Sequence, residues 1–387
     1  MILSSLEIKN FRLLKHLSVE KVGRVNLIVG KNNSGKSSVL EALRIYANNA
    51  RASILREIAE SHDERSDIAG VDRVVPHGPT RFEHFFTGRR FPSNEEDGIV
   101  IGEVASPQAL KIQHVFFEQI EQTILDEDGD SQFRVRKKKI SKSVAAKSVD
   151  RVVLQALQVS GKTRTFNIYL QPTRNAGLSP GFLAARTPCS YVPTRFISLD
   201  RLADQWDEIA LTPEEEIAKD ALRIIAPELE DLAFIKRAAT PGDDSGVDRN
   251  LRTAYVKLVG VDQVVPLNSM GDGMARVLQL ALSVFSAKDG LLLIDEFENG
   301  LHYSVQEKVW ALIFHLAQTL NIQVFATTHS WDCIESFAKV AIDRKDVDGV
   351  LFRVGKSVRK SAKGNIVATV FDEEKLFNLT QADVEVR

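Results

Sequence analysis

The sequence has little cysteine and no long apolar stretch, and both absences narrow the class of protein. Cys189 and Cys333 are the only cysteines in 387 residues, which excludes a disulfide scaffold and leaves too few thiols for a zinc ribbon. No apolar run approaches the roughly 18–20 residues that a membrane-spanning helix needs. Residues 1–11 lack the apolar core of a signal peptide. We therefore expect a cytoplasmic protein without a membrane partner.

An excess of charge of one sign is also missing. Lysine and arginine number 50 against 52 aspartates and glutamates, for a formal net charge of −2. This balance argues against a protein that coats nucleic acid by bulk charge, but it does not exclude a local basic patch. The composition, with 44% hydrophobic and 26% charged residues, is that of a globular protein and excludes disordered and collagen-like classes.

Strands and helices are predicted to alternate in the two terminal parts of the chain. The predicted elements are the strand Val25–Val29, the helix Ser37–Ala47, the strand Leu291–Ile294, the helix Tyr303–Thr319 and the strand Ile322–Ala326. Alternation of this kind predicts an α/β fold with a mostly parallel sheet.

The middle of the chain has a different pattern. Short β-type runs separated by polar turns predict an antiparallel lobe at about residues 80–190. Within it, the acidic residues 126–130 are predicted to form a solvated hairpin turn. The basic run from Arg134 to Lys142 either contacts phosphate backbones or partner proteins, or is simply a solvated strand that pairs with that acidic turn; the sequence slightly favours the strand.

Residues 199–236 are predicted to be helical, with Pro213 and the acids after it suited to a helix N-terminus. The predicted domains are a core of residues 1–198 plus 251–387, which includes the antiparallel lobe, and a helical insert of residues 199–250.

Residues 30–37 read GKNNSGKS and fit the phosphate-loop pattern G-x-x-x-x-G-K-[ST]. The loop follows a predicted strand and begins a predicted helix, which is the context this motif requires. Its backbone N–H groups and the helix N-terminus would surround phosphate oxygens. Lys36 would reach the β- and γ-phosphates of a nucleotide, and the Ser37 hydroxyl would bind Mg²⁺.

Asp295 and Glu296 directly follow a buried apolar strand, where two adjacent carboxylates are costly unless they serve a charge. In a nucleotide site, Asp295 would bind Mg²⁺ and Glu296 would orient and deprotonate the attacking water. The alternative is a solvated strand end that caps the next turn.

Residues 268–273 read NSMGDG and precede a helix that is apolar nearly all round. A serine hydroxyl and glycine amides at a helix start form an anion site, and this one could hold the γ-phosphate bound to a neighbouring subunit. A plain serine N-cap is the alternative. His329 ends a predicted strand at the site edge of the sheet, where it could contact a γ-phosphate or the catalytic water.

The order of these motifs resembles that of ABC-type ATPases. The opening LEIKNFR at residues 6–12, the residues Asn32 to Ser34, and the sequence ENGLH at 298–302 resemble the RecF, SMC and OLD (overcoming lysogenization defect) branch. This resemblance implies a P-loop NTPase head with a mixed central sheet, an antiparallel β lobe and a helical subdomain. The motifs cover roughly residues 1–50 and 265–335.

The resemblance also implies an ATP-bound dimer or higher homo-oligomer in which Ser269 and Gly271 of one subunit cover the ATP of another. The implied site residues are Gly30, Asn32, Asn33, Ser34, Gly35, Lys36, Ser37, Ser38, Asp295, Glu296, His329, Ser269, Gly271 and Gly273, with Arg12 as a further candidate for a nucleotide contact. The implied cofactors are ATP and Mg²⁺.

Two departures from the branch bear on function. The chain has no heptad run for the long coiled coil of SMC proteins, and the stretch after His329 is too short for the Toprim nuclease domain of OLD proteins. The first hypothesis is therefore an ATPase that switches or drives a separate effector, such as a nuclease, or acts on DNA. Its setting would be anti-phage defence or DNA repair. A RecF-like DNA clamp is the second. A transporter subunit is the third, and the opening Asn10-Phe11-Arg12 argues against it.

Overall fold

The computed structural model describes residues 3–64, 80–125, 131–148, 151–161, 164–170, 186–236, 252–357 and 364–371. The acidic turn at residues 126–130 and the end of the predicted insert, residues 237–250, lie outside the described residues.

A six-stranded sheet forms the centre of the fold. In spatial order its strands are β16 (Ile366–Phe371), β15 (Gly349–Lys356), β3 (Val25–Val29), β14 (Gln323–Thr328), β13 (Leu291–Ile294) and β9 (Cys189–Val192). All neighbours are parallel except β15 and β16. The predicted α/β fold with a mixed, mostly parallel central sheet is therefore confirmed.

Both faces of this sheet are covered, which explains why its inner strands are almost continuously apolar. Alternate residues of β13 point to opposite sides: Leu292 and Ile294 join one hydrophobic core, and Leu291 and Leu293 join the other. The helices are α1 (Lys36–Ala47), α2 (Ala52–Ser61), α3 (Lys142–Lys147), α4 (Leu199–Ile209), α5 (Pro213–Arg223), α6 (Asp272–Phe285), α7 (Tyr303–Thr319) and α8 (Trp331–Asp343).

A seven-stranded antiparallel sheet packs beside α1 and confirms the predicted antiparallel lobe. Its path is β2 (Leu14–Val19), β1 (Leu6–Phe11), β4 (Gly98–Gly102), β5 (Leu110–Leu125), β7 (Val153–Ser160) and β8 (Thr165–Tyr169), with β6 (Ser131–Ile140) paired to β5. The lobe thus includes the first two strands of the chain. The basic run lies largely on β6, where residues 135–139 are exposed, as expected for a solvated strand.

The prediction that residues 199–236 are all helical is wrong for the last part of that segment. Helices α4 and α5 form as expected, but β10 (Leu229–Lys236) is a strand. It pairs with β11 (Arg252–Leu258), which pairs in turn with β12 (Val265–Pro266). Pro227 cannot continue a helix, and backbone hydrogen bonds from β11, the next strand of the chain, hold the residues after it in a sheet.

The tight pairing of β9 with β13 depends on Gly290, because a Cβ there would lie 2.0 Å from the carbonyl oxygen of Pro188. We predict that Gly290→Ala lowers the free energy of unfolding by about 1–3 kcal/mol through this backbone clash. Thermal unfolding followed by circular dichroism measures the change. Gly161→Ala is the matched control, since its Cβ would meet Leu110 at an ordinary 3.6 Å. Equal melting temperatures for the two variants would contradict the clash.

Candidate functional site

The phosphate loop joins β3 to α1, as its sequence predicts. Gly30 has φ +156°, and a Cβ on it would lie 2.3 Å from the carbonyl oxygen of Val354. Gly35 has φ +99° and caps α1. Because side chains are excluded at both ends of the loop, its backbone can approach a bound group closely.

The polar side chains of the loop divide into exposed and buried groups. Asn32 and Asn33 are exposed, and Ser38 is half-buried. Ser34 is buried, and its hydroxyl has no hydrogen-bond partner among the described residues. A buried hydroxyl without a partner is costly, and a phosphate oxygen would satisfy it.

The side chain of Lys36 binds the backbone of its own phosphate loop. Its ammonium donates to the carbonyl oxygens of Gly30 at 2.8 Å and Lys31 at 3.3 Å. Burial lowers the pKa of Lys36, and the nearby carboxylates, Glu296 first among them, oppose this shift. The ammonium thus lies between the loop carbonyls and the acidic strand end, at the position from which it can neutralise phosphate charge.

Asp295 meets the loop from the end of β13. The Ser37 hydroxyl lies 3.4 Å from both carboxylate oxygens of Asp295. The Thr327 hydroxyl, at the end of β14, donates to Asp295 Oδ1 at 2.7 Å. The structure therefore brings together the two predicted metal ligands, with a threonine that the sequence analysis did not assign.

This pair of oxygens fits Mg²⁺. Two oxygens that bind one octahedral Mg²⁺ at about 2.0–2.1 Å lie about 3 Å apart, close to the separation of the Ser37 and Asp295 oxygens. Magnesium in nucleotide sites takes one or two protein ligands, and phosphate oxygens and water supply the others. In the described part of the chain no three His, Cys, Asp or Glu side chains gather as a metal site.

Glu296 has an unusual backbone for a glutamate, with φ +48°. Its N–H donates to the Thr327 hydroxyl at 2.9 Å, and the N–H of the next residue, Phe297, donates to the Thr327 carbonyl oxygen at 2.9 Å. The side chain of Glu296 is one-third exposed. Strained residues of this kind persist only where the surroundings hold them, and they concentrate at functional sites.

His329 lies at the carboxyl end of β14, beside the acidic residues. Its Nδ1 is 3.6 Å from Glu296 Oε1 and 3.2 Å from Glu298 Oε1. Glu298 Oε1 also accepts from the backbone N–H groups of His329 and Ser330. Glu298 therefore orients the turn that presents the histidine, and its sequence signal is the acid two residues after Glu296.

The signature residues lie at the start of α6. Gly271 caps this helix with φ +94°, and Gly273 is in its first turn, where a Cβ would lie 3.2 Å from the carbonyl oxygen of Gly300. Ser269 is exposed, and its hydroxyl donates to the Pro266 carbonyl oxygen at 2.6 Å. Within this single chain, Ser269 bonds to its own loop and the signature packs beside residues 299–300.

Arg12 is engaged elsewhere in this structure. Its guanidinium makes a 2.5 Å contact with Glu41 and two hydrogen bonds to Glu64, at 3.0 and 3.2 Å. It also lies 5.1 Å from the centre of the Phe85 ring. These acidic partners hold the guanidinium, so the structure does not join Arg12 to the phosphate loop, and its expected nucleotide contact stays a prediction.

Arg276, in α6, is a further site residue that the sequence analysis did not assign. It is 4% exposed and donates to the carbonyl oxygens of Asp295 and Glu296 at 2.9 and 2.8 Å. The signal was present in the sequence, because Arg276 is a charged residue in a helix that is otherwise apolar nearly all round.

The strand, glycine loop and helix, with an acidic strand end beside them, define a P-loop NTPase. Residues 1–177 match the family model described as "AAA ATPase domain". Residues 192–332 match the model described as "AAA domain, putative AbiEii toxin, Type IV TA system". Both matches describe AAA-type ATPase domains, and together they include the phosphate loop and the acidic pair.

Similar proteins differ in how much of the chain they cover. An "ATP/GTP phosphatase" of Helicobacter pylori is 23% identical over 356 residues, 89% of both chains. A "DNA replication and repair protein RecF" of Thioalkalivibrio sulfidiphilus is 42% identical over 47 residues, 12% of this chain and 13% of that protein. Among solved structures, an SMC head bound to the C-winged helix domain of ScpA has a TM-score of 0.47 at 15% identity, covering 98% of this chain and 100% of that one.

No helix in the described ranges is both long and apolar enough to span a bilayer.

We predict that Thr327→Val lowers the rate of ATP hydrolysis by about 10–100-fold, because small displacements of reacting groups have effects of this size. Valine keeps the shape of threonine but removes the hydroxyl that orients Asp295 and accepts the Glu296 N–H. Thr327→Ser, which keeps the hydroxyl, is the matched control and should retain most of the rate. Phosphate release at saturating ATP measures both variants, and equal rates would contradict the role of the hydroxyl.

Proposed function

We propose that this chain is an ATPase of the ABC-like RecF/SMC/OLD type, which dimerises around ATP and uses hydrolysis to switch a separate effector. The observation that carries the proposal is the convergence of Lys36, Ser37, Asp295, Glu296 and His329 at one edge of the central sheet. Each of these side chains has the chemistry that one part of phosphoryl transfer needs.

In this proposal the residues divide the work of hydrolysis. The loop amides, Ser34 and Lys36 would bind the phosphates. Ser37 and Asp295 would hold Mg²⁺, which when bound would neutralise charge on the phosphate oxygens. Glu296 takes a proton from the attacking water as the new oxygen–phosphorus bond forms. The bond between the γ-phosphorus and the β-phosphate oxygen then breaks, and ADP and phosphate leave. His329 stands where it can orient that water or contact the γ-phosphate.

The second half of the site would come from another copy of the chain. Ser269 is exposed, and Gly271 begins a helix whose N-terminus favours an anion. Ser269 lies just before α6, and its hydroxyl donates to the Pro266 carbonyl oxygen rather than to its own phosphate loop. We therefore propose that Ser269, Gly271 and Gly273 cover the γ-phosphate bound by a partner copy, so that ATP closes a dimer or a higher homo-oligomer.

The biological setting is proposed from the similar proteins. The name "ATP/GTP phosphatase" supports nucleotide hydrolysis, and the second family description refers to a putative toxin of a toxin–antitoxin system. We propose a role in anti-phage defence or DNA repair in the cytoplasm, with an effector such as a nuclease supplied by another protein. The predicted division into a core and an insert at residues 199–250 is part of this proposal.

We expect Glu296→Gln to bind ATP and accumulate as a dimer while hydrolysis falls by about 10²–10⁴-fold, because the general base is removed and the phosphate site remains. Lys36→Ala is expected to lose nucleotide binding. Phosphate release, fluorescent-nucleotide titration and light scattering after size exclusion measure the three properties. Glu335→Gln, at a half-buried glutamate of α8 that pairs with Lys339, is the matched control. Wild-type hydrolysis by Glu296→Gln would show that the mechanism is wrong.

A DNA clamp remains the second candidate, and one face of the antiparallel sheet favours it. Lys9, Val100 and Lys111 pair across β1, β4 and β5, so they share a face. Lys139 pairs with Phe117 further along β5, and the alternation of side chains places Lys139 and Lys137 on that face as well. This row of lysines, drawn from three strands, supports phosphate contacts despite the balanced net charge.

If DNA lies on this face, the double variant Lys111→Ala, Lys139→Ala should reduce the slope of log affinity against log salt by about two, or about one for each lost phosphate contact. Filter binding of duplex DNA with and without ATP, across salt concentrations, measures the slope. Lys345→Ala, an exposed lysine after α8, is the control. An affinity for DNA that does not change with salt concentration argues against the clamp. An unchanged slope in the double variant also argues against it.

A further inference from the structure

Arg276 is a buried cation that binds backbone rather than a carboxylate. Its guanidinium donates to three carbonyl oxygens, those of Pro193 at 2.8 Å, Asp295 at 2.9 Å and Glu296 at 2.8 Å. Pro193 follows β9 and Asp295 follows β13, so one side chain of α6 joins the carboxyl ends of two neighbouring strands. The planar guanidinium of arginine, with five N–H donors in fixed directions, can bind several carbonyl oxygens at once. The compact ammonium of a lysine cannot.

A charge in this position is costly, which indicates a function for it. Burial lowers the pKa of Arg276 to about 10, against the opposing influence of nearby carboxylates, of which Asp295 is the strongest. With this pKa the side chain is still cationic near neutral pH. A neutral residue would serve the packing of an apolar helix at lower cost, so the carbonyl contacts explain the arginine better than packing does.

Two of the three contacts control the direction of the Glu296 side chain. The Asp295 carbonyl belongs to the peptide that precedes the Glu296 Cα, and the Glu296 carbonyl belongs to the peptide that follows it. Thr327 holds the N–H groups of the same two peptides. Both peptide planes around Glu296 are therefore fixed at both ends, and this sustains the left-handed φ of +48°.

The position of Arg276 in α6 connects this arrangement to the signature loop. Arg276 follows Gly271, the N-cap of α6, by little more than one helical turn. The Cβ of Arg276 lies close to Gly300, because a Cβ added to Gly300 would be 3.6 Å from it. A cavity of about 390 Å³ lies beside it, lined by Asn268, Asp272 and Gln279 among others. Through its carbonyl contacts, Arg276 would transmit a displacement of α6 to the backbone of Glu296.

We propose that Arg276 is a positioning residue that couples the signature loop to the orientation of Glu296. The inference rests on the proposed ATPase function and adds a route by which closure over a partner's ATP sets the geometry of hydrolysis. Arg276 needs no contact with the nucleotide for this role, because it acts through the two peptide bonds around Glu296.

Arg276→Lys tests the role, because lysine keeps the charge but cannot reach three carbonyls in one plane. We expect kcat for ATP hydrolysis to fall by about 10–100-fold, while KM, nucleotide affinity and the melting temperature stay near wild-type values. Arg223→Lys is the matched control, since Arg223 also donates from a helix to strand carbonyls, those of Leu229 and Glu230, away from the site. It should leave kcat unchanged.

A second variant, Arg276→Gln, removes the buried charge and leaves a side chain that can donate to fewer carbonyls. We expect the same fall in kcat with nucleotide binding retained. Wild-type kcat in a folded Arg276→Lys, or a raised KM with kcat unchanged, would overturn the positioning role. Loss of folding in both variants would also overturn it, since the proposal requires a folded protein that binds nucleotide.

Glu296→Gln, measured in parallel, separates this inference from the proposed function. If Glu296→Gln hydrolyses ATP at the wild-type rate, the ATPase mechanism itself fails. If Glu296→Gln is inactive and Arg276→Lys is fully active, the mechanism stands and only the coupling through Arg276 is wrong.

Discussion

The parallel pairing of β3, β14 and β13 is the constraint on which the candidate site depends. Parallel strands end at the same edge of a sheet, and here that edge collects the residues that follow three strands. The phosphate loop follows β3, His329 follows β14 and the Asp295–Glu296 pair follows β13. Thr327, the penultimate residue of the middle strand β14, can therefore bond to both acidic residues of its neighbour.

The phosphate loop and the acidic pair could be predicted from sequence because their chemistry is local. Gly30 and Gly35 are needed where backbone approaches backbone or turns into a helix, and Lys36 and Ser37 follow them at fixed offsets. Asp295 and Glu296 end a short apolar strand whose boundaries, Leu291–Ile294, are those predicted. In each case a few adjacent residues contain both the structural and the chemical signal.

The parts that were not predicted depend on partners outside the local segment of sequence. Leu229–Lys236 is a strand because β11 pairs with it, and no local pattern indicates that pairing. Arg12 is held by Glu41 and Glu64, which a reader of the sequence would not place beside it. Thr327 is an ordinary residue type, and its importance appears only when the fold brings it to the backbone of Glu296. Arg276 stands out as a charge in an apolar helix, but its carbonyl partners appear only in the fold.

The location of β3 in the central sheet also has a consequence for synthesis on the ribosome. Its two neighbours are β14 and β15, which end at Thr328 and Lys356, whereas β3 itself ends at Val29. A growing chain therefore exposes the glycine loop early but lacks its flanking strands until residues 328 and 356 have been translated. Because pairings between distant segments form late, the nascent polypeptide cannot assemble the loop on a completed sheet before then, and nucleotide turnover must await translation beyond Lys356.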